Sequence, residues 1–292
     1  MSQNIKPKKD IENWWADNPM TYGDTHGTVD YAHQDNVKFG TKEFFETVDQ
    51  TFYEWNAPLH DNDIPFSKIY PYGRYKGKKV LEIGCGMGTM AMNWAKQGAH
   101  VTAVDLNPVA IEQTKNRFKL HDLKGTIKQC DANILDFKDE SFDYVYSWGV
   151  LHHSPDLEKS LDELFRVLKT DGEFGIMLYN RHSFLHWYMT EFVEGFLHDE
   201  YHHCSPLELA SRYGDGAREE GNPHTWPITK SEIKSYFEEK SNYQSRLLGT
   251  DMDHIFSYML PGLSSVIPKA LYKPWARRFG WSHWITGVKK ES

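Results

Sequence analysis

Residues 80–89 read Val80-Leu81-Glu82-Ile83-Gly84-Cys85-Gly86-Met87-Gly88-Thr89. An apolar run of strand type, Val80 to Ile83, stops at three glycines spaced two apart. A helical pattern from Met87 to Gln97 follows at once and closes on Gly98. Glycine suits a place where a ligand must touch backbone and a Cβ would be in the way. Strand, glycine-rich turn and helix N-terminus together read as the first βα turn of a nucleotide-binding α/β domain. A dinucleotide fingerprint would be G-x-G-x-x-G, which brings a helix N-terminus against a pyrophosphate. Here the glycines alternate with other residues, and Glu82 stands two residues before the first of them. An acid at that place suits a cationic ligand group, such as an ammonium, better than a phosphate.

Three further segments follow in order. His100-Val101-Thr102-Ala103-Val104-Asp105 is a second strand ending in an acid, about twenty residues past the glycine loop, where ribose hydroxyls need a bidentate acceptor. Asn107-Pro108 supplies an N-cap and a helix-first proline for Val109 to Leu120. Thr126 to Ala132 is a third strand that includes Asp131, and Ser141 to His153 holds a fourth strand and its loop. This series resembles the class I S-adenosylmethionine (SAM)-dependent methyltransferases, in the form related to the quinone-biosynthesis C-methyltransferases and other small-molecule enzymes. The resemblance covers roughly Lys79 to Asn180. It implies SAM as cofactor, with S-adenosylhomocysteine as product, and an Asp131 that accepts from the adenine amino group. Cofactor contacts fall on Glu82, Gly84, Cys85, Gly86, Gly88, Asp105, Leu106, Asp131, Ala132 and Trp148.

A chain of 292 residues holds one large α/β domain with insertions. Its 10 Trp, 16 Tyr and 16 Phe lie largely outside the nucleotide-binding stretch, which suggests an apolar cover over a pocket. The net charge of -8 argues against nucleic acid as the main partner. Three separated cysteines, Cys85, Cys130 and Cys204, imply no disulfide framework, and a reducing cytoplasm is the simplest setting. Met1 to Asp10 is polar and reads as neither signal peptide nor anchor, and no run approaches a membrane span.

The expected fold is α/β: a doubly wound, Rossmann-like, seven-stranded and mostly parallel sheet with a reversed last strand. Residues 1–60 form an aromatic-rich N-terminal segment and a helix, Thr41 to Asn56, covering the active site. Residues 61–182 form the SAM-binding core, in which Ser154-Pro155 caps a helix that Asp171-Gly172 ends before a fifth strand, Glu173 to Tyr179. Residues 183–228 read as a helical cap inserted after that strand. Within it Phe184 to His198 is apolar on nearly every side, so it is expected to be buried as a lid or against a partner subunit. Residues 229–292 add a helix opened by the capping box Thr229-Lys230-Ser231-Glu232, and two strands, Tyr243 to Thr250 and Trp281 to Lys289.

Methyl transfer from a sulfonium is an in-line displacement, so the protein mainly supplies alignment and a dry cavity. A general base is needed only for an acceptor that is protonated at working pH. The pocket of a doubly wound sheet lies beyond the carboxyl ends of its strands. That placement nominates His153 as base or acceptor-orienting group, with Tyr22, Tyr179 and His182 as the other catalytic candidates. Trp15, His152, Arg181 and Trp226 are the substrate-binding candidates. Trp14, Trp15 and Tyr22 can fold over the sulfonium, since a cation attracts aromatic faces. Six histidines fall between His182 and His224, but His198, His202 and Cys204 lack paired zinc spacing, so no metal is expected and these side chains read as a pocket lining. The stretch Pro268 to Trp281 mixes Lys269, Lys273, Arg277 and Arg278 with Leu271, Tyr272, Trp275 and Phe279. Such a segment can rest on a membrane surface, but a strand follows directly, so membrane contact is not favoured. The function expected is methylation of a small organic acceptor, with an oxygen or sulfur nucleophile such as a phenol or small thiol favoured. Membrane-surface methylation of a quinone or lipid, and SAM binding without catalysis, are the alternatives. Self-association through the cap helix is also open.

Overall fold

β1 (Lys79–Ile83) is buried from Val80 onward and lies at the middle of a sheet, as its unbroken apolar run requires. The computed structural model describes residues 8–17, 38–213, 222–249 and 268–291. From β1 the sheet grows outward through β2 (His100–Asp105) to β3 (Thr126–Gln129) on one side. On the other it runs through β4 (Phe142–Trp148), β5 (Leu168–Tyr179) and β7 (Ser282–Lys289) to β6 (Ser241–Leu248). The order is 3-2-1-4-5-7-6, and β7 alone runs antiparallel to both its neighbours. The doubly wound sheet with its reversed last strand is therefore the observed fold.

Helices cover both faces. α1 (Lys8–Asp17) and α2 (Lys42–Trp55) precede the sheet. Thr41 caps α2 by accepting from Phe44 N, and Phe44, Phe45, Val48 and Phe52 form its buried stripe. α3 (Thr89–Lys96) follows β1, and α4 (Pro108–Leu120) follows β2, with Asn107 Oδ1 accepting from Val109 N and Ala110 N. α5 (Leu157–Val167) follows β4, and a twelve-residue π-helix (His186–Leu197) and α6 (Pro206–Tyr213) follow β5. α7 (Lys230–Phe237) precedes β6, and α8 (Lys269–Phe279) leads into β7. The Thr229–Glu232 capping box forms in full.

Two local expectations are corrected and a third is narrowed. The cap of α5 is Asp156, whose side chain accepts from Lys159 N, rather than Ser154. Its helix stops at Val167, and β5 begins at once with Leu168; Asp171, at φ 58°, and Gly172 belong to an irregularity inside β5, not to a helix end. The apolar helix after β5 is not enclosed: His186, Thr190 and Gly195 are buried, whereas Trp187, Phe192, Phe196 and Leu197 are exposed. Among the described residues no helix is long and apolar enough to cross a membrane.

Candidate active site

Where β1 ends, Gly84, Gly86 and Gly88 take φ of 80°, 50° and 81°, a region closed to most side chains. They turn the backbone into α3 and leave a cavity of about 210 Å³ beyond the carboxyl ends of β1, β2 and β4. The three glycines differ in purpose. A Cβ on Gly84 would lie 2.4 Å from Val150, and one on Gly88 would lie 2.7 Å from Thr114. A Cβ on Gly86 would meet nothing within 4 Å, and Gly86 lines the cavity. Gly84 and Gly88 thus serve packing, and Gly86 keeps space open.

Glu82 also lines the cavity, is 3% exposed, and its Oε2 has no hydrogen-bond partner in the protein. Burial pushes its carboxyl well above the ordinary range, opposed in part by the Tyr146 hydroxyl. Asp105 accepts from Gly86 N at 2.8 Å with Oδ2 and from Asn107 N at 2.9 Å with Oδ1. Burial raises its carboxyl too, and these backbone N–H groups pull it back. Each oxygen keeps further lone-pair capacity, so the diol role remains open to Asp105 while it also ties the glycine loop to β2. An orphaned buried carboxylate and a bare Gly86 fit a ligand that offers a cationic group to the acid and presses on backbone, as SAM does with its ammonium.

Asp131 is already engaged: Oδ1 accepts from Asn133 N at 3.0 Å, and Oδ2 pairs with Lys8 of α1 at 2.6 Å. Lys8 is half-exposed, so this pair is weak and a ligand amine can share or displace it. α1 is pinned over the same rim. Trp15 O accepts from Asn107 Nδ2 at 2.7 Å, Glu12 accepts from Gln129 Nε2 at 3.0 Å, and Ile11, Glu12 and Trp15 line the cavity.

The far wall is aromatic and sulfur-bearing: Phe52, Trp148, Met177 and Tyr179, with Trp15 and His153 facing each other at 5.1 Å between ring centroids. His153 is buried, and segment 222–225 grips it. Its Nδ1 is met by His224 O at 3.0 Å, Thr225 Oγ1 at 3.1 Å and Asn222 Nδ2 at 3.2 Å. His224 O can only accept and the Asn222 amide N–H can only donate, so the two compete for Nδ1; with the proton on Nδ1, as the shorter carbonyl contact favours, Nε2 is the nitrogen able to take a proton.

Of the residues nominated from sequence, Glu82, Gly84, Cys85, Gly86, Asp105, Leu106, Asp131, Ala132, Trp148, Trp15, His153 and Tyr179 line this one cavity. The others do not. Gly88 is the N-cap of α3. His152 is fully buried behind Tyr179, 3.8 Å between rings, and burial next to His153 and His224 drives its imidazole well below the ordinary range. Arg181 stacks on Trp226 at 4.0 Å, and both bond Glu232, so they knit the start of α7 instead of meeting substrate. His182 is exposed away from the cavity. Tyr22 lies outside the described residues. The described histidines of the histidine-rich segment do not line this cavity: His186 and His224 are buried and pushed down to about 4 by desolvation, while His198 and His202 pair with Glu194 and Asp199 at the surface. Among the described residues no group of three or more His, Cys, Asp or Glu could hold a metal ion.

Sequence reading missed Lys8, Ile11, Phe52, Thr89, Asn107 and Asn133 as cavity residues. Phe52 and Thr89 carried a signal, one as part of a buried helical stripe and the other as the first residue after the glycines. The Asn222–Thr225 grip carried none, because it comes from a segment about seventy residues downstream that has no regular structure.

A methyltransferase domain family matches residues 80–172. A ubiquinone biosynthesis O-methyltransferase of Coxiella burnetii is 30% identical over 168 residues, which make up 53% of this chain and 72% of that protein. A sterol 24-C-methyltransferase of Gibberella zeae is 36% identical over 148 residues, 48% of this chain. The chain spans only 34–46% of the length of the four sterol methyltransferases it matches. The fold is also that of the PH0226 protein of Pyrococcus horikoshii OT3, with a TM-score of 0.52 at 17% identity over 89% of this chain and 98% of that one. Fold, glycine loop and relatives together place the chain in the family of SAM-dependent methyltransferases.

Proposed function

We propose that the protein transfers the methyl group of SAM to an uncharged, apolar small molecule, through an acceptor O–H or S–H deprotonated by His153. The observation that carries this reading is the composition of the cavity. Among the described lining residues Lys8 is the one lysine or arginine, and it is paired to Asp131, whereas Glu12, Glu82, Asp105 and Asp131 are acids. An acceptor carrying a carboxylate or phosphate would find no counter-charge there and would be repelled. A neutral aromatic ring would meet Trp15, Phe52, Trp148 and Tyr179, with His153 as the basic group beside them. The names of the two relatives, one acting in ubiquinone biosynthesis and one on sterols, agree with an apolar acceptor.

SAM supplies, when bound, a methyl group on a sulfonium that departs readily. The chain's own part is to hold the acceptor against that group and to remove water, with α1 and the β4 loop closing the cavity. Nε2 of His153 takes the acceptor proton while the grip on Nδ1 holds the ring and stabilises the imidazolium that forms.

A panel of neutral phenols and thiols, set against their carboxylated analogues, tests the proposal with radiolabelled SAM. Turnover is expected on neutral acceptors, and His153→Ala should lower kcat by roughly a hundredfold or more with the SAM dissociation constant nearly unchanged. Preference for carboxylated acceptors would overturn the substrate class. SAM binding with no turnover on any acceptor would leave a binding protein.

A further inference from the structure

The π-helix raises a question that the active site does not answer. Helices of this kind usually last a single turn and mark functional places, yet this one runs for twelve residues and turns its rings outward. Phe184, Tyr188, Phe192 and Phe196 follow one another at centroid spacings of 5.9, 6.1 and 6.0 Å, and Trp187 stacks on Phe192 at 5.8 Å. Trp187 is 49% exposed, Phe196 69% and Leu197 57%. A continuous aromatic ladder at that exposure marks a surface that meets something apolar.

α8 carries a second such surface. Leu271, Trp275 and Arg278 share one helical face, Arg277 lies round the helix from them, and all four are exposed. An apolar residue, a tryptophan and an arginine on one face, with a second arginine at its flank, suit the boundary between acyl chains and anionic headgroups. The chain as a whole carries -8, so this basic face is a local exception to its charge. The two elements are linked at their ends, on the inner side of the π-helix. Trp281, two residues past α8, stacks on His186 at the start of the π-helix at 6.2 Å and on Tyr179 of the cavity wall at 4.4 Å. The π-helix itself is not basic: Glu194 lies 2.8 Å from His198, and Glu191 lies 3.6 Å from His186, whose imidazole is pushed down to about 4 and is neutral at pH 7, so the positive charge of the surface is that of α8.

We infer that the outer faces of the π-helix and α8 form one docking surface for an anionic lipid bilayer, placed beside the aromatic wall of the cavity. Lipid is favoured over a second copy of the chain because anionic headgroups neutralise Arg277 and Arg278, which a second chain repeating the same basic face would not. The inference draws on the proposed apolar acceptor only for its purpose, namely to let such a molecule enter from the bilayer. Its test involves no turnover, so the two stand or fall separately.

The whole protein is floated with phosphatidylcholine vesicles with and without phosphatidylglycerol. It is expected to float with the anionic vesicles and to prefer them over neutral ones. Trp187→Ser/Phe196→Ser should lower vesicle partitioning about tenfold or more, and Arg277→Glu/Arg278→Glu should remove the preference for phosphatidylglycerol. Both variants should keep wild-type melting temperature and S-adenosylhomocysteine affinity, which separates lost docking from lost folding. Failure to float with either vesicle, or variants that float as well as wild type, would overturn the inference. So would a concentration-dependent dimer that the Trp187→Ser/Phe196→Ser protein cannot form, which would assign the face to a second copy.

Discussion

Glu82 and His153 both line the cavity, and each is shaped by what surrounds it. Glu82 is a carboxylate buried without full compensation, which costs stability in the ligand-free protein. Glu82→Gln is therefore expected to stabilise the ligand-free protein at pH 7 by about 1–3 kcal/mol and to weaken SAM binding by a similar amount. The pH dependence has a definite sign. Because the folded protein raises this carboxyl, wild type is handicapped above the raised value, and its gap from the Gln variant should close as pH falls towards the ordinary carboxylate range. Thermal melts across that range check it; a gap that is constant with pH would show that charge burial is not the cause. What the sequence tells at this scale is uneven. The placement of Glu82, Gly86 and Asp105 on one cavity was legible because spacing along the chain sets it. The placement of Arg181, Trp226 and His152 off that cavity was not, because a residue just past a strand can face the pocket or the next helix, and only packing decides which. Here Glu232 draws Arg181 and Trp226 to α7.

Elements were legible wherever a chemical signal marks their start. Asn107-Pro108 and the Thr229 box cap helices as read, because caps satisfy backbone N–H groups locally, and Thr41, read as the first residue of its helix, proves to be its cap. The β5 start was not legible, since Leu168 completes the apolar period of α5 and yet pairs with Phe142 as the first residue of a strand. The apolar character of the π-helix told that it needs a partner but not where that partner lies: within the single chain Trp187, Phe192 and Phe196 stay exposed. Two element-level predictions follow from the glycine turn and from the helix layer under it. Gly84→Ala forces a methyl into Val150 at a positive φ, and should destabilise by roughly 2–4 kcal/mol in denaturant melts. Asp49 of α2 joins Arg117 of α4 at 2.6 Å and accepts from Thr89 of α3 at 2.8 Å, all in the interior. Asp49→Ala strands the buried Arg117 guanidinium and should cost about 3–5 kcal/mol, while Asp49→Ala/Arg117→Met should recover much of it. A double variant no more stable than the single would show that the loss lies in packing.

At the scale of the whole molecule, the strand order sets the cavity at the point where β1 and β4 send their loops to opposite sides, and every later insertion builds around it. α1 arrives from one side with Trp15, and segment 222–225 arrives from the other to hold His153. These long-range additions have no regular spacing, so the core was legible from the sequence and its surroundings were not. The core carries the central claim, that the glycine turn makes a seat for SAM, and Gly86 tests it with the least ambiguity. Its Cβ would collide with nothing in the protein, so Gly86→Val should fold with only the penalty of about 1–2 kcal/mol for a side chain at φ 50°. Titration calorimetry with S-adenosylhomocysteine should show clear binding to wild type and at least a hundredfold loss in folded Gly86→Val protein. Equal affinity in the two proteins would contradict the assignment of this cavity to the cofactor.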